Sequence, residues 1–180
     1  MAIPSRQSNG HETPQHRRMF FVTTKTSMGR RLLQSDRFAE LFVDVLRKSM
    51  AAGRFQVHDF VVMPDHVHLL LSVGEGVSIE KAVQFIKGGF SYRVKRELGY
   101  DGEVWQRGFS EVQVAGGDSV EQHRRYIASN PERAGLVGPG EEFAWCFEVL
   151  RRRKAQGLKP DDQGALSARV NSCPVTKAQG

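Results

Sequence analysis

The sequence predicts an α+β fold of the ferredoxin-like split βαβ type, in which an antiparallel sheet carries helices on one face and leaves the other face open. Three observations support this prediction. Four short stretches are rich in β-branched and aromatic residues, two longer stretches have apolar residues at helical spacing, and together they follow the order β α β β α β. A further helix is predicted after the last strand. This order is that of the split βαβ arrangement.

The composition is that of one soluble domain with a basic character. The chain has 180 residues, of which 39% are hydrophobic and 26% charged, and its net charge is +6, which favours a polyanionic partner. No apolar run is long enough to cross a membrane, the first twenty residues lack a secretory segment, and two distant cysteines fit a reducing compartment. We therefore expect a cytoplasmic protein with a flexible basic arm (1–17), one domain (18–154) and a disordered tail (155–180).

The first half of the chain contains three predicted strands and one helix. "MFFVTTKT" predicts the first strand, and Ser35 or Asp36 is expected to cap a first helix that ends near Gly53. "FQVHDFVVM" and "HVHLLLS" then predict two strands, separated by Pro64 and Asp65. So short a connection indicates an antiparallel hairpin.

The second half is expected to continue with a long helix, a strand and a short helix. Ser78 is a candidate cap for the long helix, which has a basic outer face and, in its middle, the pair Gly88 and Gly89. Such a pair indicates either a bend or a close approach by another backbone. "EVWQRGFSEVQV" predicts the fourth strand and its approach, and the following capping box, Ser119 with Gln122, predicts a short helix ending at Pro131.

Two histidines share one face of the third predicted strand. Because side chains alternate, His66 and His68 face away from the core that Val67 and Leu69 help to build. Residues two apart in a strand are separated by about 7 Å, so one cation could contact both imidazoles. A solvated pair on an exposed strand is the alternative interpretation, and a third ligand would be needed to decide between the two.

The predicted helix in "SVEQHRRYIASNP" has a narrow polar wedge beside its apolar stripe. On a helical wheel, His123, Tyr126 and Asn130 lie next to the face defined by Val120 and Ile127. Asn130 follows Tyr126 by one turn, so a phenol and a carboxamide can address the same point. A half-buried tyrosine and an ordinary helix-end asparagine would give the same pattern.

Several blocks of the sequence, in this order and spacing, resemble one family. "FVVMPDHVHLLLS", "IKGGFSYRVKRELG", "VWQRGF" and "YIASNPERAGLV" are similar to the single-strand tyrosine transposases of the HUH endonuclease superfamily, in particular those associated with repetitive extragenic palindromes (REP). The resemblance extends from about residue 17 to about residue 140. It implies an active site on the open side of the sheet.

The resemblance assigns roles to individual residues. It implies that His66, His68 and Asn130 hold Mg²⁺ or Mn²⁺ and that Tyr126 is the nucleophile, forming a 5'-phosphotyrosine with single-stranded DNA near a palindromic hairpin. The chain would act as a monomer or homodimer, without a membrane partner. One position departs from the family pattern, because Val112 stands where a histidine is frequent.

Basic and aromatic residues other than the implied metal ligands are candidates for DNA contact, because cations bind phosphates. Tyr92 is also a rival nucleophile, although no carboxamide follows it one turn later. The candidate DNA-binding residues are Lys87, Tyr92, Arg93, Lys95, Arg96, Arg107, Arg124 and Arg125.

Two other functions are compatible with the same residues. The first is a catalytically inactive, domesticated protein that binds hairpin DNA, to which Val112 is the hint. The second is a metal-dependent phosphodiesterase that uses water, with His123 as the base.

Overall fold

The computed structural model describes residues 18–156, which contain four strands and four helices. The predicted arm, and the predicted tail from residue 157 onward, lie outside this range. The strands are β1 (Met19–Lys25), β2 (Phe55–Val62), β3 (His66–Val73) and β4 (Ser110–Val114). The helices are α1 (Asp36–Ala51), α2 (Ile79–Leu98), α3 (Gly117–Arg133) and α4 (Phe147–Ala155). None of these helices has the length and apolarity needed to cross a bilayer.

The four strands form one sheet in the order β2-β3-β1-β4, and every neighbouring pair is antiparallel. This arrangement confirms the predicted ferredoxin-like split βαβ topology. The hairpin of β2 and β3 is confirmed as well, with Val62 paired to Val67 beside the Pro64–Asp65 turn. β3, which carries the predicted histidine pair, is one of the two central strands and lies between β2 and β1.

Helices α1 and α2 cover one face of the sheet and bury the larger core. Each begins after the serine predicted to cap it, and the Ser78 hydroxyl accepts a hydrogen bond from the Lys81 amide at 3.2 Å. The Phe42, Phe90 and Trp105 rings pack edge-on or tilted against one another between the helices and the sheet. This layer buries the odd-numbered β3 residues, including Val67, Leu69 and Leu71, as alternation requires.

The Gly88–Gly89 pair does not interrupt α2, which is continuous over 20 residues and ends at Gly99 in the left-handed conformation. A Cβ atom built on Gly89 would lie 3.4 Å from Cγ1 of Val45 in α1, so this glycine permits a close approach of the two helices. The approaching group is a side chain rather than the backbone that the sequence suggested. A Cβ atom on Gly88 would meet nothing within 4 Å.

The opposite face of the sheet is only partly open, because α3 packs across it. Ile127 of α3 is buried in a second, smaller core with Val61 and Leu70 of the sheet and Val114 at the end of β4. The prediction that helices cover one face of the sheet is therefore confirmed for α1 and α2. Helix α3, in contrast, packs on the face that was expected to stay open. Its apolar stripe is short, so the sequence alone did not indicate which sheet face it would cover.

The bounds of α3 differ from the prediction. The helix begins at Gly117 after Gly116, without a side-chain cap, so the capping box of Ser119 and Gln122 is not formed. Pro131 does not end the helix but lies inside it, with two helical residues following. The ring is buried, and the carbonyl of Pro131 accepts the Leu136 amide at 2.9 Å, so packing and a continued turn compensate for the missing donor.

Candidate active site

His66 and His68 lie side by side on the sheet face that α3 crosses. Their rings are 4.8 Å apart between centroids and nearly perpendicular, at 77°. In the sheet register His66 is opposite Lys25, and His68 is opposite Thr23 on β1 and Val61 on β2. Directly opposite residues share a face, so these side chains surround the two imidazoles.

His68 is a buried neutral imidazole. Only 5% of the residue is exposed, and its Nδ1 is 2.8 Å from the hydroxyl oxygen of Thr23. Burial first, and then the positive charges of His66 and Lys25, lower the pKa of His68 to about 3. With Nδ1 bonded to Thr23, the nitrogen that remains for an external ligand is Nε2. A neutral ring with one fixed nitrogen is the form that binds a cation.

His66 is oriented by the carboxylate beside it in sequence. Its Nδ1 is 2.7 Å from Oδ1 of Asp65, and since a carboxylate accepts, Nδ1 donates this hydrogen bond and Nε2 is the ring nitrogen that takes no part in it. A carboxylate behind an imidazole in this way fixes the ring and increases its basicity in metal sites. Both histidines therefore have Nδ1 bonded within the protein and Nε2 available.

Tyr126 of α3 reaches the histidines from above the sheet. Its ring centroid is 5.3 Å from that of His68 and 5.7 Å from that of Phe21, and both contacts are edge-on. Phe21 also stacks against His68 at 5.3 Å, so one β1 side chain supports both rings. Burial of the neighbouring Ile127 fixes the rotation of α3 that directs Tyr126 towards the sheet.

Asn130 lies one turn further along α3 and is bonded to its own helix. Its Nδ2 donates to the carbonyl oxygen of Tyr126 at 2.6 Å, which leaves the amide oxygen as the free end of the side chain. Within residues 18–156 no group of three or more His, Cys, Asp or Glu side chains could hold a metal ion. A third protein ligand beside His66 and His68 would therefore be of another type, such as an amide oxygen.

His123 is a neighbour of the site rather than a member of the histidine pair. Its Nδ1 donates to the carbonyl oxygen of Ser119 at 2.7 Å, and its ring lies 4.8 Å from that of Phe21. Phe21 thus contacts His68, His123 and Tyr126.

Lys25 is a site residue that the sequence did not indicate. It is exposed at the end of β1, opposite His66, and its positive charge acts on His68. No ion pair of Lys25 occurs within the described part of the chain. A lysine at a strand end is common, and only the pairing of β1 with β3 shows that this one stands beside the histidines.

Val112, the departure from the family pattern, lies near the site. It is opposite Phe21 in the pairing of β1 with β4 and therefore shares the face of the histidines. A histidine at this position would stand on the β4 side of Phe21, whereas Val112 offers no group that can bind a cation or a phosphate.

The predicted DNA-binding residues form two groups, those whose side chains bond within the protein and those that are exposed. The members on α2 belong to the helix layer on the sheet face opposite the histidines. Two of the α2 residues bond to other parts of the protein. Lys87 donates to the carbonyls of Gln106 and Gly108, and Arg93 pairs with Asp44 and Glu97. The others are exposed, and this exposed set comprises Tyr92, Lys95 and Arg96 on α2, Arg107 before β4, and Arg124 and Arg125 on α3.

Comparison with known proteins gives consistent matches. Residues 18–130 match the family described as IS200-like transposase. A REP-associated tyrosine transposase of Escherichia coli K12 is 28% identical over 109 residues, which cover 60% of this chain and 62% of that protein. The ISDra2 transposase TnpA of Deinococcus radiodurans is 30% identical over 96 residues, covering 50% of this chain and 68% of that protein. The match thus spans under two thirds of the length of the Escherichia coli relative.

A solved structure shares the fold. It is described as a REP-associated tyrosine transposase bound to a REP hairpin, and it covers 95% of this chain and all of its own with a TM-score of 0.60 at 22% identity. The likeness supports the sheet order and the placement of the helices described above.

Proposed function

The chain belongs to the IS200-like transposase family, and from this premise we propose that it is a metal-dependent tyrosine transposase that cleaves and rejoins single-stranded DNA. The observation that carries the proposal is the contact between the Tyr126 ring and the His68 ring, at 5.3 Å. These residues are 58 positions apart in the sequence. Their meeting combines a nucleophile with a cation-binding imidazole pair.

The residues around the histidines fit a divalent cation. His66 and His68 would hold Mg²⁺ or Mn²⁺ through Nε2, because Asp65 and Thr23 occupy the two Nδ1 atoms. The free amide oxygen of Asn130 is the candidate third ligand. When bound, such a cation neutralises charge on a phosphate oxygen and leaves further positions for water.

Tyr126 supplies the nucleophile in this proposal. Its phenol oxygen attacks phosphorus, a bond forms between that oxygen and the 5'-phosphate, and the bond from phosphorus to the 3'-oxygen breaks. The 3'-oxygen takes up a proton and leaves as a hydroxyl. Because the phosphotyrosine conserves the bond energy, the hydroxyl of the same or another strand can reverse the step without ATP.

The chain's own residues prepare this reaction. Phe21 supports the His68 and Tyr126 rings, so the phenol and the imidazole pair are held in one place. Lys25, opposite His66, adds a cation where a phosphate would lie. The guanidinium of Arg133 lies 5.6 Å from the Tyr126 ring centroid and adds a positive charge beside the nucleophile.

Single-stranded DNA bearing a palindromic hairpin is the proposed substrate. The family membership, the net charge of +6 and the relative described as bound to a REP hairpin support this choice. Unpaired DNA also allows a tyrosine on a helix to approach the backbone at a defined step.

Covalent trapping tests the proposal. Purified protein incubated with Mn²⁺ and single-stranded oligonucleotides spanning genomic palindromes is expected to form a protein–DNA adduct, which EDTA prevents. Tyr126→Phe is expected to abolish the adduct, and Tyr92→Phe to retain it. An adduct that persists in Tyr126→Phe would refute the assignment of the nucleophile.

The same experiment separates the two alternatives. A domesticated hairpin-binding protein, towards which Val112 points, would bind the oligonucleotides in a salt-sensitive manner but form no adduct with any divalent ion. A phosphodiesterase that activates water through His123 would release cleaved DNA with no protein attached.

A further inference from the structure

The turn between β1 and α1 contains an exposed methionine on an unfavourable backbone. Met28 is 83% exposed, more than any other large hydrophobic residue between residues 18 and 156. It is also the one non-glycine residue in that range with a positive φ, at 56°. Both features disfavour the folded state, because L side chains avoid this conformation and the thioether gains nothing from burial.

The backbone dihedral angles of the turn do not favour methionine. Met28 (φ 56°, ψ 24°) and Gly29 (φ 64°) are two successive left-handed residues, as in a type I′ turn. Asn, Asp and Gly are the residues that adopt this conformation most easily. A strained conformation that persists at an exposed site indicates a function for the side chain.

Hydrogen bonds hold the turn in place. The backbone amide of Thr26 donates to the carbonyl oxygen of Asp65 at 2.8 Å, and the Thr26 hydroxyl lies between the carbonyl oxygens of Arg30 and Asp65, at 2.6 and 2.9 Å. The Ser27 amide donates to the Val104 carbonyl, and the Ser27 hydroxyl donates to the Glu103 carboxylate at 2.7 Å. Met28 therefore projects from an anchored turn rather than from a loose loop.

The same bonds place the turn beside the candidate active site. Asp65 is the residue whose carboxylate orients His66, and Lys25, three residues before Met28, is opposite His66 in the sheet. Chain geometry limits the Met28 Cα atom to within about 15 Å of the His66 Cα atom. That separation corresponds to a few nucleotides of a single strand.

The segment around Met28 is basic, and the one carboxylate bonded to it in the described part of the chain is that of Glu103, on Ser27. The segment "KTSMGRR", residues 25–31, contains Lys25, Arg30 and Arg31 and no acidic residue. Lys25 and Arg31 are exposed, while Arg30 donates to the Tyr100 hydroxyl. An apolar side chain flanked by cations is the arrangement with which proteins insert a wedge between bases while binding the adjacent phosphates.

We propose that Met28 is a wedge that inserts against a base of single-stranded DNA beside the cleaved step, with Lys25 and Arg31 binding the flanking phosphates. The proposal rests on the proposed function for the identity of the ligand. Unstacking the bases at this point would expose the phosphodiester to Tyr126 and define the position of cleavage. The wedge is thus an interaction surface for unpaired bases that adjoins the candidate active site, and Lys25 belongs to both.

Base-specific fluorescence tests the wedge directly. The probe is a palindromic hairpin oligonucleotide with single-stranded flanks that carry 2-aminopurine, whose fluorescence rises when the base loses its stacking partner. Binding of the full-length wild-type protein in EDTA, which prevents cleavage, is expected to increase the fluorescence at one flank position. Met28→Leu should retain the increase, and Met28→Asn should abolish it.

Thermal stability gives an independent readout, in which the expected effect of Met28→Asn is a gain rather than a loss. Because Asn tolerates the left-handed conformation, Met28→Asn is expected to raise Tm by about 2–4 °C while losing the fluorescence signal. Gly29→Asn is the matched control, since a Cβ atom at Gly29 meets nothing within 4 Å. It should keep the signal.

The outcomes separate this inference from the proposed function. An unchanged fluorescence increase in Met28→Asn, or no increase with the wild type, overturns the wedge even if covalent adducts form. A Met28-dependent increase without any adduct retains the wedge as a DNA contact and overturns the transposase chemistry.

Discussion

At the scale of single residues, His68 shows how burial prepares a ligand. The ring is almost fully covered and bonded to Thr23, and its pKa is lowered to about 3, so it stays neutral at neutral and mildly acidic pH. A cation competes poorly with a proton at an ordinary histidine in mild acid. At His68, burial already disfavours the protonated form, so a cation has no proton to compete with.

His68→Ala is expected to lower Mn²⁺-dependent adduct formation by roughly 100-fold or more, because half of the imidazole pair is lost. Hairpin affinity, measured in EDTA by gel shift, should change little, since phosphate contacts supply most of it. His58→Ala is the matched control, because His58 lies on the same sheet face but is bonded to Ser72. Equal loss of cleavage and affinity in His68→Ala would mean that the histidine has only a structural role.

Asp59 is another residue whose side-chain pKa is shifted by the fold. It follows the β-bulge of β2, and burial raises its pKa from 3.8 to about 6, against the lowering effects of the Phe60 amide and the charge of Arg124. The folded protein thus holds a proton that the unfolded chain releases more readily. The folded state is therefore destabilised as pH rises from about 4 to about 6, and the full cost is present above pH 6.

Asp59→Asn should remove this dependence. The variant is expected to be more stable than the wild type by about 1–2 kcal/mol at pH 8, allowing for the partial exposure of the side chain, and equally stable near pH 4. The Asn carbonyl can still accept the Phe60 amide. Urea denaturation at both pH values measures the difference. Asp101→Asn, at an exposed carboxylate, is the control, and an equal gain at both pH values would contradict the pKa of Asp59.

At the scale of elements, helix α2 and the segment before β4 depend on each other. The Trp105 indole donates to the Lys87 carbonyl at 3.1 Å, and the Lys87 ammonium donates to the carbonyls of Gln106 and Gly108 at 2.7 and 2.8 Å. The blocks "IKGGF" and "VWQRGF" are therefore one structural unit. Lys87, expected to bind DNA, is largely used for this connection.

Lys87→Met is expected to lower the free energy of unfolding by about 1–2 kcal/mol, because two backbone carbonyls lose a charged donor. Lys95→Ala provides the comparison, since its side chain is 74% exposed and its ion-pair partner, Asp101, is 78% exposed. It should change stability by less than about 0.5 kcal/mol. Chemical denaturation measures both, and a larger effect for Lys95 than for Lys87 would contradict the assigned roles.

At the scale of the whole molecule, the sheet separates the exposed candidate cations into two sets. Arg124 and Arg125 lie on α3, on the histidine side, whereas Lys95 and Arg96 lie on α2, in the layer that covers the opposite face. DNA whose scissile phosphate is at Tyr126 should contact the first set. The basic net charge alone does not show which of the two sets of cations contacts DNA.

The salt dependence of hairpin binding tests this division. The double variant Arg124→Ala, Arg125→Ala should reduce the slope of log affinity against log salt by about 1.5, whereas Lys95→Ala, Arg96→Ala should change it less. Equal effects of the two double variants would mean that DNA also wraps around the α2 layer. The two variants remove the same charge, so each controls for the other.

The sequence by itself determined the order of strands and helices along the chain, the faces of β3 and the candidate pair of histidines. These features follow from local periodicity: alternation in strands and 3.6-residue spacing in α1 and α2 express which residues must be buried. The family resemblance, carried by several blocks, is confirmed by the match to residues 18–130. The metal and the catalytic roles remain predictions for the experiments above.

Only the tertiary structure decided which separate elements meet. Packing of Ile127 on the second sheet face brought Tyr126 to His68, the register of β1 with β3 placed Lys25 beside His66, and the Lys87 ammonium was directed to the carbonyls of the segment before β4. Pro131 remained inside α3 because burial and neighbouring bonds outweighed its local cost. Contacts between residues distant in sequence depend on how whole elements pack, and no local pattern encodes that choice.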